Sequence, residues 1–188
     1  GAVLDQAWAL RVRLDGPSLK GASLFQTQLQ GGSLKDADLT EARAPANFSR
    51  ADLTGARFAG ADLGPDLKNQ SMGLMRADLT GATADGADFT GANLLSAVLE
   101  FADLKGAQLD KANLTRAMLA GADLAGASVA GAVFTDADVT STRLVGLKGL
   151  ARTQLDDARN LSRAFTRQRD AGQLLGIEFI ARPAHGIC

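Results

Sequence analysis

With 188 residues, 46% hydrophobic and 22% charged, the chain is long enough for one folded domain with a core, which excludes wholesale disorder. Twenty basic against twenty-one acidic residues leave a net charge of −1, giving no electrostatic drive toward nucleic acid or an anionic membrane. The only cysteine, Cys188, excludes an internal disulfide framework, and no apolar run reaches the roughly 18 residues a bilayer span needs. The chain opens on Gly1 rather than Met, which reads as a trimmed or processed start. With no signal-peptide pattern at that end, a cytoplasmic location is expected.

Taken in order, the chain is a run of five-residue blocks. Residues 2–11 give two degenerate ones, AVLDQ and AWALR. Val12 to Glu41 gives six, whose third residues are Leu14, Leu19, Leu24, Leu29, Leu34 and Leu39. Ala42 to Pro45 is one residue short, and four full blocks follow from Ala46 to Pro65. Asp66 to Ser71 reads as a six-residue block that restores the lost residue, and MGLMR leads into Ala77. Fourteen blocks then run without a gap to Gly146, with Ala first in thirteen and Leu, Phe or Val third in thirteen. Gly holds the fifth position eight times and Asp or Asn the second seven times, so the phase is no accident of composition.

A period of five rejects both regular structures. On an α-helix, residues five apart rotate by roughly 140°, so the leucines would spray around the cylinder. A long strand alternates its faces with period two, and five is odd. A short extended piece followed by a corner fits instead: the first and third residues face one way while the fourth and fifth turn the chain. Asp or Asn at position two can hydrogen-bond the corner backbone, and Gly at five tolerates a positive φ. Four such sides close a square coil of about 20 residues, and stacked coils pair strand on strand at about 4.8 Å.

On these blocks the chain resembles the pentapeptide repeat family, with its small–Asp/Asn–Leu/Phe–Ser/Thr/Arg–Gly pattern, over about 145 of its 188 residues. The resemblance implies an all-β fold, a right-handed quadrilateral parallel β-helix of about seven coils, occupying residues 1–150 and irregular at 42–45 and 64–76. It places Leu79, Leu99, Leu119 and Val139 in one interior ladder and Leu104, Leu124 and Leu144 in the next.

After Gly146 the blocks decay. Thr153 suits a helix N-cap, and Leu155, Ala158, Leu161, Phe165, Ala171 and Leu175 recur at three- and four-residue intervals. The spacing predicts an α-helix over 154–171, and residues 151–188 as a helical cap and tail that seals the open end. Ile177 to Ala181 reads as a short strand or strap. The resemblance adds a homodimer contact through that helix.

Signals for chemistry are nearly absent. His185 and Cys188 lie together at the terminus with no further ligand near, no phosphate loop occurs, and no catalytic residue, cofactor or metal is expected. Asp103 and Asp123 alone stack as neighbouring aspartates, and they read as solvated corner residues. The outward positions carry one irregularity. Along one side the second positions read Asp78, Val98, Met118, Asp138, with Phe101 and Leu95 near the same edges. Val98, Met118, Phe101 and Leu95 form a candidate patch for an unidentified protein partner.

A non-enzymatic interaction scaffold is therefore expected. The family also includes quinolone-resistance proteins that imitate DNA and bind type II topoisomerases, a role that needs a strongly negative rod. Residues 1–150 carry a net charge of only −3, with Lys105, Lys111, Arg116, Arg143 and Lys148 among the acids. A single-residue insertion supplies no protruding loop either, so that role is the alternative.

Overall fold

A five-residue side is too short to pair with itself, so its backbone groups must find partners one coil away. The computed structural model, which describes residues 1–66, 75–151 and 153–166, shows how they do. Each side contributes one parallel-paired residue, its second, and these stack into four ladders. Face 1 is Val3, Ser23, Arg43, Asp62, Asn93, Asn113 and Val133. Face 2 is Trp8, Gln28, Asn47, Asp78, Val98, Met118, Asp138 and Arg159. Face 3 runs from Arg13 through Ser33, Asp52, Thr83, Asp103, Asp123 and Arg143 to Phe165, and face 4 from Ser18 through Asp38, Arg57, Asp88, Gln108 and Ser128 to Lys148. The fold is a quadrilateral parallel β-helix.

Three bonds repeat between coils. The Ser23 N–H donates to Ala2 O (2.9 Å), the Leu4 N–H to Ser23 O (2.8 Å) and the Gln6 N–H to Phe25 O (2.7 Å). A fourth closes each corner, where the third residue's carbonyl accepts from the next block's first N–H, as Ala22 N to Leu19 O at 2.9 Å. The fifth residue of such a turn must take φ > 0. It does so in every described block that ends in Gly, and also where it is Arg50, Phe101, Lys111 or Arg116. The corner is thus imposed by the stack, and glycine only makes it cheaper.

First and third residues point inward. Ala77, Ala97 and Ala117 are buried with Leu79, Leu99, Leu119 and Val139 on face 2, and Leu104, Leu124 and Leu144 on face 3. Burial of one such leucine contributes about 1.5–3 kcal/mol. Phe58 stacks on Phe89 (5.0 Å between centroids) and takes Phe48 edge-on (5.8 Å), filling the interior where the coil is irregular.

Two sequence expectations are corrected. Asp78 sits over Asn47 and Asn93 over Asp62, the latter 31 residues apart where 20 is the rule. The register of the stack therefore skips eleven positions, 66–76, and the reading of 66–71 as a one-residue insertion fails. The excursion is spliced into an ordinary corner: Leu63 O accepts from the Ala77 N–H at 3.1 Å, and the Asp66 N–H donates to Met75 O at 3.0 Å. Second, no α-helix forms over 153–166. That stretch holds turns and one 3₁₀ turn, Leu161–Arg163, while Arg159 and Phe165 extend the ladders of faces 2 and 3. Leu155 is buried, and Ala158, Leu161 and Ala164 pack against the last coil, so these apolar residues close the end without a helix. The homodimer contact expected through that helix loses its helix over 153–166. Residues 167–171, the 177–181 strap, His185 and Cys188 lie outside the described residues.

Candidate interaction surface

The recurring aspartates serve the corners. Asp38, Asp52, Asp78, Asp88, Asp103, Asp123 and Asp138 each accept through Oδ1 from the backbone N–H two residues on, at 2.9–3.2 Å. Where Ser replaces the acid at position two, a carboxylate from the coil below substitutes. Asp5 takes the Ser23 hydroxyl (2.6 Å) and the Phe25 N–H (2.9 Å), and Asp110 takes the Ser128 hydroxyl and the Ala130 N–H, both at 2.6 Å. Asp15 does the same for Ser33, whose hydroxyl holds its carboxyl below the usual carboxylate range. Sequence reasoning missed this second device, although Asp at position four followed 18 residues later by Ser signals it.

Charge along the faces is mixed. Lys105 lies 2.8 Å from Asp103 and 3.6 Å from Asp123, Arg57 pairs with Asp38 at 2.9 Å, and Lys35 with Asp52 at 3.0 Å. No face is a continuous acidic track. Among the described residues no group of three or more His, Cys, Asp or Glu could hold a metal ion, and no helix is long and apolar enough to cross a membrane.

Both breaks in register fall at one corner. The short block 42–45 and the excursion 66–76 interrupt successive coils at the edge where face 1 turns into face 2. Its fifth positions read Gln6, Gln26, Ser96, Arg116 and Asp136, with Pro45 and Pro65 ending the irregular sides, so none of them is glycine. Arg43 lies at the mouth of the excursion, 2.5 Å from Asp62 and 3.8 Å from Asp66.

The sequence-predicted patch adjoins this edge. Val98 pairs directly with Met118 on face 2, and both are half-buried. Half-buried Leu95 sits at the corner with face 1. Phe101, 69% exposed, occupies the opposite corner with φ 58° and lays its ring over Gly121 of the next coil. The four residues therefore cross one face from corner to corner. The structure adds Arg76, at the return of the excursion, whose Nη2 lies 3.5 Å from Met118 Sδ. A separate apolar group, Val3, Trp8 (81% exposed) and Leu10, stands on the first coil.

Compared with known families, residues 46–64, 74–110 and 112–146 match the model for pentapeptide repeats in eight copies. The chain belongs to the pentapeptide repeat family. Among solved structures, it is similar to HetL, a pentapeptide repeat protein involved in heterocyst differentiation regulation from the cyanobacterium Nostoc. The two share 29% identity over 87% of this chain and 76% of that one, with a TM-score of 0.50. A pentapeptide repeat protein of the Arabidopsis thaliana thylakoid lumen is 32% identical over 51% of this chain and 63% of its own, at a TM-score of 0.39. QnrB1, a plasmid-mediated fluoroquinolone resistance protein, is 20% identical over 76% and 82% of the two chains, at 0.48. No curated protein matches the sequence. The family fold, a right-handed β-helix, agrees with the four ladders seen here, and the matching family is not a catalytic one.

Proposed function

We propose that this pentapeptide repeat protein is a non-enzymatic scaffold that binds another protein through face 2 and its edge with face 1. One observation carries the reading. Outward positions on the middle coils are mostly polar or small, yet Leu95, Val98, Met118 and Phe101 cross face 2 from the edge that breaks the repeat to the opposite corner. A rod with a filled interior and flat sides supplies extended binding area and no cleft for chemistry. The test is affinity capture with cross-linking from a lysate of the source organism, the second bait carrying Val98→Glu and Met118→Glu. A protein held by the native rod and lost from the variant supports the reading, and identical background on both baits refutes it.

A second reading is a DNA-mimicking inhibitor of a type II topoisomerase, the role of the quinolone-resistance proteins of this family. The mixed charge of faces 1 to 4 weighs against it, because a phosphate mimic needs a continuous negative track. Inhibition of gyrase supercoiling by the purified rod at near-stoichiometric amounts would favour it over the scaffold.

A further inference from the structure

Face 2 reads, coil by coil, Asp78, Val98, Met118, Asp138, two apolar residues bracketed by two acids. Three steps of about 4.8 Å put the acids roughly 14 Å apart along the rod. Both carboxylates give Oδ1 to the corner turn: Asp78 to Thr80 and Asp138 to Thr140, the latter also accepting from Asn160 Nδ2 at 3.0 Å. Their Oδ2 atoms accept no hydrogen bond among the described residues. Glu100, half-buried on the same face beside Phe101, is likewise without an ion-pair partner there. Two cations adjoin the strip: Arg76, whose Nη2 touches Met118 between the acids, and Arg159, stacked on Asp138 at its end.

The spacing defines an occupant. At 1.5 Å per residue, roughly 14 Å is about ten residues of α-helix, and apolar side chains at i+3, i+4 and i+7 fall between the ends on one stripe. We infer that face 2 receives a cationic amphipathic helix lying along the rod axis. Lys or Arg about ten residues apart meet Asp78 and Asp138, and an apolar stripe covers Val98 and Met118 between Leu95 and Phe101. This rests on the scaffold reading and names the chemistry of its partner. Apolar contact supplies the affinity, while the acids fix register and select against anionic helices.

The experiment uses the full chain and a synthetic alanine-rich helical peptide with two lysines about ten residues apart and leucines at i+3, i+4 and i+7 between them. Binding is read by fluorescence anisotropy. Three rods are compared: native, Val98→Glu/Met118→Glu, and Asp78→Asn/Asp138→Asn. The last keeps the turn acceptor, since Asn47 and Asn113 already fill that position. Thermal melts check that each is folded. Expected are binding to the native rod, more than tenfold weakening with the glutamates, and about fivefold weakening with the asparagines, whose binding also becomes nearly insensitive to salt. A charge-reversed peptide with glutamates for lysines should not bind. Equal binding to all three rods, equal binding of the reversed peptide, or no binding to the native rod overturns the inference. So does self-association of the rod that the glutamates abolish, which would make a second copy the occupant. The lysate capture is a separate readout: if it succeeds while the peptide fails, the scaffold stands with a different partner chemistry, and if both fail, both readings fall.

Discussion

The corner geometry can be tested by adding one methyl group at two glycines that differ in a single respect. Gly86 has φ 64° and nothing within 4 Å of the place a Cβ would occupy, whereas Gly121 has φ 71° and the Phe101 ring 2.6 Å from that place. For Gly86→Ala only the backbone term applies: roughly 1–2 kcal/mol for a left-handed Ala, offset by roughly 0.4–1 kcal/mol from the stiffer unfolded chain. The net loss is about 1 kcal/mol, or about 3 °C in Tm for a chain of this size. Gly121→Ala bears the same backbone term and must also lift the Phe101 ring off its seat. With the ring largely exposed, it swings away and loses its contact, which adds about 1 kcal/mol. In a Phe101→Ala background that addition vanishes and Gly121→Ala should match Gly86→Ala. Thermal melts followed by far-UV circular dichroism, with urea midpoints as a second probe, complete the double-mutant cycle. If Gly121→Ala costs the same as Gly86→Ala in both backgrounds, Phe101 does not rest on Gly121. If Gly86→Ala is neutral, the imposed left-handed corner is wrong.

Leu114 is fully buried on face 1 between Leu94 and Phe134, so Leu114→Arg strands a charge in the core and should leave no soluble folded protein; a normal melt would refute the register. Asp110→Ala removes the acceptor shared by the Ser128 hydroxyl and the Ala130 N–H and should cost about 1 kcal/mol, while adding Ser128→Asp restores a carboxylate two residues before Ala130 and should recover most of it. Failure of that rescue in urea midpoints would mean the two capping devices are not equivalent. The Thr140 hydroxyl, and after it the Asn160 amide, hold the Asp138 carboxyl below the usual carboxylate range. A lowered folded-state value stabilises the protein above the unfolded value of about 3.9, and that gain disappears as pH falls through the folded value. Melting temperature should therefore be level from about pH 7 to 5 and fall below about pH 4, with a shallower fall in Asp138→Asn; an identical acid slope in the two would refute the assignment.

What the sequence reveals here follows from its period. Because coils stack every 20 residues, Leu79, Leu99 and Leu119 can be placed in one ladder by counting, and Val98 beside Met118 likewise. Counting fails where it is ambiguous modulo five. Residues 66–76 number two blocks plus one, and Leu67 and Leu74 fall close enough to the third position to pass as coil. Only pairing of Asp78 with Asn47, 31 residues back, reveals that the register skips both apparent blocks. The expected helix does not form over 154–166, for a related reason. Leu155, Ala158 and Leu161 have helical spacing, but the unpaired top of the last coil offers backbone partners that a helix would leave unused. Arg159 takes the place over Asp138, with its N–H donating to Ala137 O at 2.8 Å. Arg76 was illegible because its contact with Met118 crosses 42 residues and two coils.

A repeat of this kind separates stability from recognition by position. Positions one and three fill the interior, position five sets the corner, and the acid at position two or the acid below it caps the turn. A polar or bulky residue at the inward positions one and three damages the rod, so variety that serves a partner accumulates at outward positions, two and five among them, or between blocks. In this chain it does so locally: the missing residue at 42–45, the eleven skipped positions at 66–76, the fifth positions without glycine and the Val98–Met118 pair all border one edge. Damage without use would scatter over four equivalent faces, since the stack treats them alike. Concentration on one edge therefore separates a binding face from ordinary drift, and it is why the peptide experiment is aimed at the Val98–Met118 strip and not at the more exposed apolar residues of the first coil, Trp8 among them.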